Sequence, residues 1–217
     1  MTSPFATIAI LLSVAVSESL GGPETILSTK STDETTEAAW DYSFSISTYL
    51  VQHARDYADP IFTADHDWLH LEARYNYEAI KTASLWLGYN FSAGEKLSFE
   101  ATPMIGAVFG DITGVAPGYT ISITYEPIEF FTQGEYFFDG AIQAGNFFYS
   151  WSELSYSPAR WLRIGLVVDR TKAFGSDLDI RRGPLIGFKY KKLDLSTYWL
   201  SPGSRDATFV FAVTSDF

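Results

Sequence analysis

Apolar and polar residues alternate with a period of two along most of the chain from Trp40 onward. In residues 83–91, for example, every odd position is Ala, Leu, Tyr or Phe. Because successive side chains of a strand point to opposite faces, this pattern predicts β-strands. No segment of comparable strength shows the 3.6-residue period of an amphipathic helix, so the predicted fold class is all-β.

Turn-forming residues divide the alternating segments into twelve predicted strands. These are 42–51, 59–64, 68–78, 82–92, 97–109, 118–126, 128–138, 147–157, 160–170, 180–190, 193–200 and 207–217. Merging the short second strand with the third would leave eleven. With twelve, most longer connections fall at one end, and the tight turns and both termini fall at the other. This arrangement is typical of a transmembrane antiparallel up-and-down β-barrel.

The period alone leaves open which face is inside, because a lipocalin-like barrel or a sandwich would share it. Twelve strands enclose a lumen that apolar side chains would leave partly void, which favours apolar residues outside. The polar phase also holds Ser, Thr, Gly, Asn and isolated charges rather than the dense Lys and Glu of a soluble surface. Aromatic residues near the ends of the apolar stripes predict interfacial belts. They are Tyr75, Tyr77, Tyr89, Phe91, Phe109, Tyr119, Tyr125, Tyr156, Tyr190 and Trp199.

Composition narrows the classes of function. Hydrophobic residues make up 47% of the chain and charged residues 19%, which indicates a folded rather than a disordered protein. The absence of cysteine excludes disulfides, thiolate metal sites and a cysteine nucleophile. Fifteen basic and 26 acidic residues give a net charge of −11, which is unfavourable for binding nucleic acid. No nucleic-acid partner and no cofactor are predicted.

The amino-terminal region differs from the rest. Residues 5–16 form an apolar run that is shorter than the roughly 20 residues of a transmembrane helix. Small residues at Ala15 and Ser17 suit cleavage after a signal peptide of residues 1–17. A buried element is the alternative, because residues 1–4 contain no Lys or Arg. Residues 18–39, rich in Ser, Thr and acid, are predicted to be a flexible linker to a barrel domain of residues 40–217.

The last predicted strand ends on Phe217, with Phe209, Phe211 and Val213 in the same phase. Together with the alternation over residues 40–217, this resembles the porin-like outer-membrane β-barrels of Gram-negative bacteria. The resemblance implies residence in the outer membrane and contact with lipid and lipopolysaccharide. It also implies that the barrel-assembly machinery recognises the carboxyl-terminal strand. It identifies no subfamily.

The polar phase gives the candidate lumen or constriction residues. They are His70, Glu72, Arg74, Trp86, Glu100, Glu129, Glu135, Glu153, Arg163, Asp169, Arg181 and Lys189. The connection lengths predict that Glu72, Gly88 and Glu100 share a row. The two acids would then lie about 10 Å apart, with Arg74 able to reach either. A charged constriction that selects a solute and an ion-pair network that rigidifies the barrel are both open interpretations.

Catalysis has little support in the sequence. The histidines are His53, His66 and His70, and no GxSxG serine motif or HExxH zinc motif accompanies them. No catalytic or metal-binding residue is predicted. We expect a passive, porin-like channel for small solutes with a weak preference for cations. The alternatives are a plugged structural or binding barrel, an outer-membrane lipid hydrolase using His70, and a soluble lipocalin-like carrier.

Overall fold

The computed structural model describes residues 39–141 and 145–217. The predicted signal peptide, and the predicted linker apart from Ala39, lie outside the described residues. The described chain forms thirteen strands. These are β1 (Asp41–Val51), β2 (Tyr57–His66), β3 (Leu69–Tyr75), β4 (Thr82–Tyr89), β5 (Phe91–Ala93), β6 (Ser98–Gly110), β7 (Gly114–Tyr125), β8 (Ile128–Asp139), β9 (Phe147–Ala159), β10 (Leu162–Ala173), β11 (Asp179–Tyr190), β12 (Leu193–Leu200) and β13 (Thr208–Asp216).

Every neighbouring pair of strands is antiparallel, and β1 pairs with β13 to close the sheet. Both β4 and β5 pair with β6, because Asn90 interrupts one long strand. The thirteen segments therefore occupy twelve positions around a closed barrel. The predicted twelve-stranded, all-β up-and-down barrel is confirmed, and the eleven-strand alternative is wrong.

The two ends of the barrel differ in their connections. We call one end the short-turn end. It carries both termini of the barrel and the short turns at 67–68, 94–97, 126–127, 160–161 and 191–192. At the other, the loop end, the connections are 52–56, 76–81, 111–113, 140–146, 174–178 and 201–207. This division is the expected one, although connection 111–113 is much shorter than predicted.

That difference arises in β7, which begins at Gly114 rather than at the predicted residue 118. The segment Gly-Val-Ala-Pro-Gly has the composition of a loop, but Ala116 is fully buried on the inner face. Pro117 pairs with Ile105 of β6, while the ladder with β8 is interrupted at this level. A proline is tolerated in a sheet where the missing N–H donor breaks no ladder hydrogen bond.

The apolar phase faces outward. Leu166 is 61% exposed, whereas the next residue, Val167, is 0% exposed and points into the barrel. Aromatic residues flank the apolar band at both ends. Near the short-turn end are Trp40, Tyr42, Trp68, Tyr89, Phe91, Tyr125, Tyr156, Trp161, Phe188, Tyr190 and Phe217, and near the loop end are Tyr75, Phe109, Tyr136, Phe138, Phe174, Trp199 and Phe209. Such an exterior is what a transmembrane barrel presents to lipid.

Within the described ranges, no helix has the length and apolar character needed to cross a bilayer.

Two aromatic residues depart from the predicted belts. Tyr77 lies on the 76–81 connection, and its hydroxyl accepts a hydrogen bond from Gln133 of β8 inside the barrel. Tyr119 lies on the outer face at mid-strand, opposite Gly134 of β8, with its hydroxyl against that glycine. A tyrosine in this position covers the strand surface that a glycine leaves bare.

The interior is packed with side chains from opposite walls. One buried cluster joins β1 to β9–β13 and comprises Tyr49, Trp151, Val167, Leu185, Tyr198, Leu200 and Val210. A second cluster, from β4 and β6–β8, comprises Trp86, Met104, Val108, Ala116 and Phe137. These clusters narrow the lumen from both sides and leave a charged region between them.

Candidate functional site

All twelve predicted constriction candidates occupy the inward-facing phase of their strands. His70, Glu72 and Arg74 lie on β3, and Glu129 and Glu135 lie on β8. The others are distributed over β4, β6 and β9–β11. The structure therefore places the candidates in the lumen, but it brings only some of them together.

Arg74 is the centre of the most connected group. Its Nε donates to Glu72 Oε1 on the same strand, and its Nη1 donates to Glu135 Oε2 at 2.9 Å. Because β3 and β8 are separated by three barrel positions, the second bond crosses the lumen. All three side chains are almost completely buried.

Two aromatic rings contact the Arg74 guanidinium. Its Cζ lies 4.2 Å from the centroid of Trp86 and 4.4 Å from that of Tyr77. Cation–π contacts of this kind are strongest where water is excluded. We call Glu72, Arg74, Tyr77, Trp86 and Glu135 the Arg74 layer.

The layer continues toward the short-turn end through hydrogen bonds. His70 Nε2 lies 3.1 Å from Glu72 Oε2, and His70 Nδ1 lies 2.7 Å from Asp65 Oδ1. Asp65 also accepts from Asn90 Nδ2, at the interruption between β4 and β5. The inward side chains of β2 and β3 are thereby joined to Asn90, between β4 and β5, and form one continuous polar network.

The predicted row of Glu72, Gly88 and Glu100 is wrong. Glu72 pairs with Trp86, and Glu100 pairs with Ser92 near the short-turn end. The shift arises because the β3–β4 connection spans 76–81 rather than 79–81. Arg74 bridges Glu72 and Glu135 and is not shared with Glu100.

A second ionic group lies on the opposite wall. Arg163 Nη1 donates to Glu153 Oε2 at 3.0 Å, and its Nη2 donates to Ser196 at 2.8 Å. Trp151 Nε1 donates to the other oxygen of Glu153 at 2.8 Å. Nearer the loop end, Arg181 pairs with the buried Asp169.

Cavities are found at both ends of the lumen. A cavity of about 640 Å³ opens at the short-turn end among Glu129, Ser157, Arg160 and Lys189. At the loop end, a cavity of about 410 Å³ is lined by residues that include Tyr57, Asn76, Ile80 and Arg181. The Arg74 layer and the two hydrophobic clusters occupy the region between them and lie mostly in the half of the barrel nearer the loop end, where they narrow the lumen.

Several inward-facing residues are not among the candidates predicted from the sequence. Asp59 and Asp65 lie on β2, and Tyr77 and Glu78 lie on the 76–81 connection. In the described residues, the acids on the inner side outnumber the cations. The acids include Asp59, Asp65, Glu72, Glu78, Glu100, Glu129, Glu135, Glu153, Asp169 and Asp194, and the inward Arg and Lys side chains are Arg74, Arg163, Arg181 and Lys189, to which His70 adds a charge when it is protonated. This excess gives the lumen a negative potential.

The described residues contain no group of three His, Asp or Glu side chains arranged to hold a metal ion.

Comparisons with known proteins concern the fold alone. No protein-family model and no curated protein matches the chain. The structure of the KdgM porin in complex with disordered oligogalacturonate superposes with a TM-score of 0.57 at 10% identity, covering 81% of this chain and 99% of that one. A second KdgM porin structure gives a TM-score of 0.56 at 11% identity, with the same coverage. The outer-membrane protein OpdK from Pseudomonas aeruginosa gives 0.44 at 7% identity, covering 74% and 57%. The chain shares its barrel architecture with the KdgM porin.

Proposed function

We propose that this protein is an outer-membrane barrel of the porin type that lets small solutes cross passively. The observation that carries the proposal is the closed twelve-position barrel, with lipid-compatible side chains outside and charged side chains inside. Charge in a barrel interior with an apolar exterior suits a water-containing path. The similarity in architecture to the KdgM porin supports the same function.

The proposed location is the outer membrane of a Gram-negative bacterium. Lipid would cover the apolar band, and lipopolysaccharide would surround the loop end. The proposed targeting signal is the carboxyl-terminal stripe of Phe209, Phe211, Val213 and Phe217, which the barrel-assembly machinery would recognise. All four side chains are exposed on the outer face of the folded barrel.

The channel function predicts discrete current steps from residues 18–217 after refolding in detergent and addition to a planar lipid bilayer. We expect small steps, because the Arg74 layer and the hydrophobic clusters narrow the lumen. Insertion is verified independently by protease protection. Inserted protein that carries no current, and that does not release small solutes from loaded liposomes, would reject the proposal.

The charge of the lumen predicts a weak preference for cations. In a tenfold potassium chloride gradient, the reversal potential should have the sign of potassium permeation, because the inner acids outnumber the inner cations.

The KdgM porin has been captured in complex with oligogalacturonate, which carries carboxylates. A lumen with excess acid disfavours such a polyanion, so we propose small neutral or cationic solutes for this chain. An anion-selective reversal potential would contradict this assignment.

The packing of the lumen favours a plugged structural or binding barrel as the second candidate. The side chains of Arg74, Trp86, Glu135, Trp151 and Tyr198, which come from strands spread around the barrel, are all under one-tenth exposed. Such a barrel would insert without conducting. The bilayer recording therefore distinguishes the two candidates.

The contacts of His70 also favour a channel over an enzyme. Both of its ring nitrogens face carboxylate oxygens, those of Asp65 and Glu72. A general base that activates a hydroxyl nucleophile must direct one nitrogen at that hydroxyl. We therefore assign His70 to the ion-pair network rather than to lipid hydrolysis.

A further inference from the structure

The 76–81 connection differs from the rest of the Arg74 layer because it is not part of the sheet. Glu72, Arg74, Trp86 and Glu135 all belong to strands whose backbones are held by neighbouring strands. Tyr77 belongs to a connection, and it still reaches across the lumen to Gln133. Connections move more readily than the strands that they join.

The connection has a closed base and a projecting tip. Asn76 and Lys81 both have a φ of 60°, and the Asn76 side chain accepts a hydrogen bond from the Lys81 amide at 2.7 Å. The Asn76 amide group also donates to the Ala58 carbonyl at 2.9 Å, which fixes the base to β2. Within the tip formed by residues 77–80, Tyr77 and Glu78 reach inward, where they accept hydrogen bonds from Gln133 and Ser84.

The contacts of Tyr77 span the lumen. Its hydroxyl accepts from Gln133 Nε2 at 2.9 Å, and its ring packs edge-on against Tyr149 of β9, with centroids 5.5 Å apart. The Arg74 guanidinium also packs against a face of this ring. One side chain from the β3 side thus contacts β8 and β9 on the facing wall, and it closes the space between the two walls.

A cavity and two buried carboxylate oxygens without hydrogen-bond partners in the described part of the chain lie near the Tyr77 ring. The loop-end cavity is lined by Asn76 and Ile80, which belong to the same connection. Glu78 Oε2 and Glu135 Oε1 are buried and lack hydrogen-bond partners within the described residues. Buried carboxylate oxygens are costly when unpaired, so hydration of this gap would stabilise them.

We propose that Tyr77 controls permeation: its ring closes the lumen at the loop end, and a solute passes when the hydroxyl leaves Gln133 and the ring turns into the loop-end cavity. This inference rests on the proposed channel function. In this proposal a residue of the 76–81 connection controls passage, rather than the charged side chains of the strands, Glu72, Arg74 and Glu135.

The test compares three variants with the unaltered chain in planar bilayers. Tyr77→Ala removes the closing ring, and we expect conductance to rise about twofold or more, because the narrowest section sets the resistance. Tyr77→Phe keeps the ring and removes only the bond from Gln133. It should raise the frequency of open steps while their size stays the same. Tyr75→Ala is the matched control, because Tyr75 ends the same strand but is exposed on the outer face.

A second readout uses the absence of cysteine from the chain. A cationic thiol reagent added to Tyr77→Cys should reduce the enlarged current, whereas the same reagent should leave the current of Tyr75→Cys unchanged. This response requires residue 77 to lie in the path, and a purely structural role would not produce it.

The results of these recordings distinguish failure of the Tyr77 proposal from failure of the channel function. Where the unaltered chain conducts, a larger current for Tyr77→Ala than for the Tyr75→Ala control supports the proposal. If the unaltered chain conducts and Tyr77→Ala and Tyr77→Cys behave like the Tyr75 controls, the inference is overturned and the channel function stands. If every inserted variant is silent, both are overturned.

Discussion

Replacing Arg74 with methionine is expected to lower the free energy of unfolding by about 3–5 kcal/mol, because the change leaves the buried Glu135 carboxylate without its ion pair and Glu72 with His70 as its remaining partner. Glu72 and Glu135 both depend on this guanidinium, and both are almost completely buried. Methionine retains much of the side-chain volume between the rings of Trp86 and Tyr77, so the loss reports mainly on charge. The measurement is urea unfolding in detergent micelles, followed by tryptophan fluorescence.

Two further variants test the cause of that loss. Adding Glu72→Gln and Glu135→Gln to Arg74→Met removes the unpaired charges and should recover part of the stability, since neutral amides are cheaper to bury. Arg205→Met, in the exposed 201–207 connection, is the control for losing one positive charge. An Arg74→Met variant as stable as Arg205→Met would show that the layer is hydrated and contributes little to folding.

The barrel could be predicted from the sequence because lipid and lumen impose opposite demands on alternate residues. Leu166 and Val167 show the limit of that reasoning, since both are apolar and only one faces outward. The inner phase is far more apolar and aromatic than a polar, water-filled lumen requires, as Phe137 and Leu200 illustrate. Their burial depends on contacts between opposite walls, which a pattern along one strand does not contain.

The candidate site was predictable in part of its membership but not in its arrangement. The phase of β3 identifies Glu72 and Arg74, whereas the partner of Arg74 on β8 is 61 residues away in the chain. Tyr77 has the phase of Tyr75, and extending that phase past the end of β3 assigned it to the outer belt. Alternation has no meaning beyond the last residue of a strand, where the 76–81 connection turns inward.

The other large effect concerns the outer face, where replacing Leu166 with arginine is expected to destabilise the inserted barrel by about 2–4 kcal/mol. Leu166 lies near the middle of β10 and is 61% exposed, so in water an arginine there would be well tolerated. In a bilayer the same guanidinium must enter hydrocarbon or distort the membrane to reach the headgroups.

The measurement is the urea midpoint in phospholipid vesicles. The matched control is Leu178→Arg, at an exposed leucine of the 174–178 connection, where we expect a change within about 0.5 kcal/mol. Equal, small effects at both positions would mean that water rather than lipid covers the apolar band, and the assignment of the barrel to a membrane would fail with it.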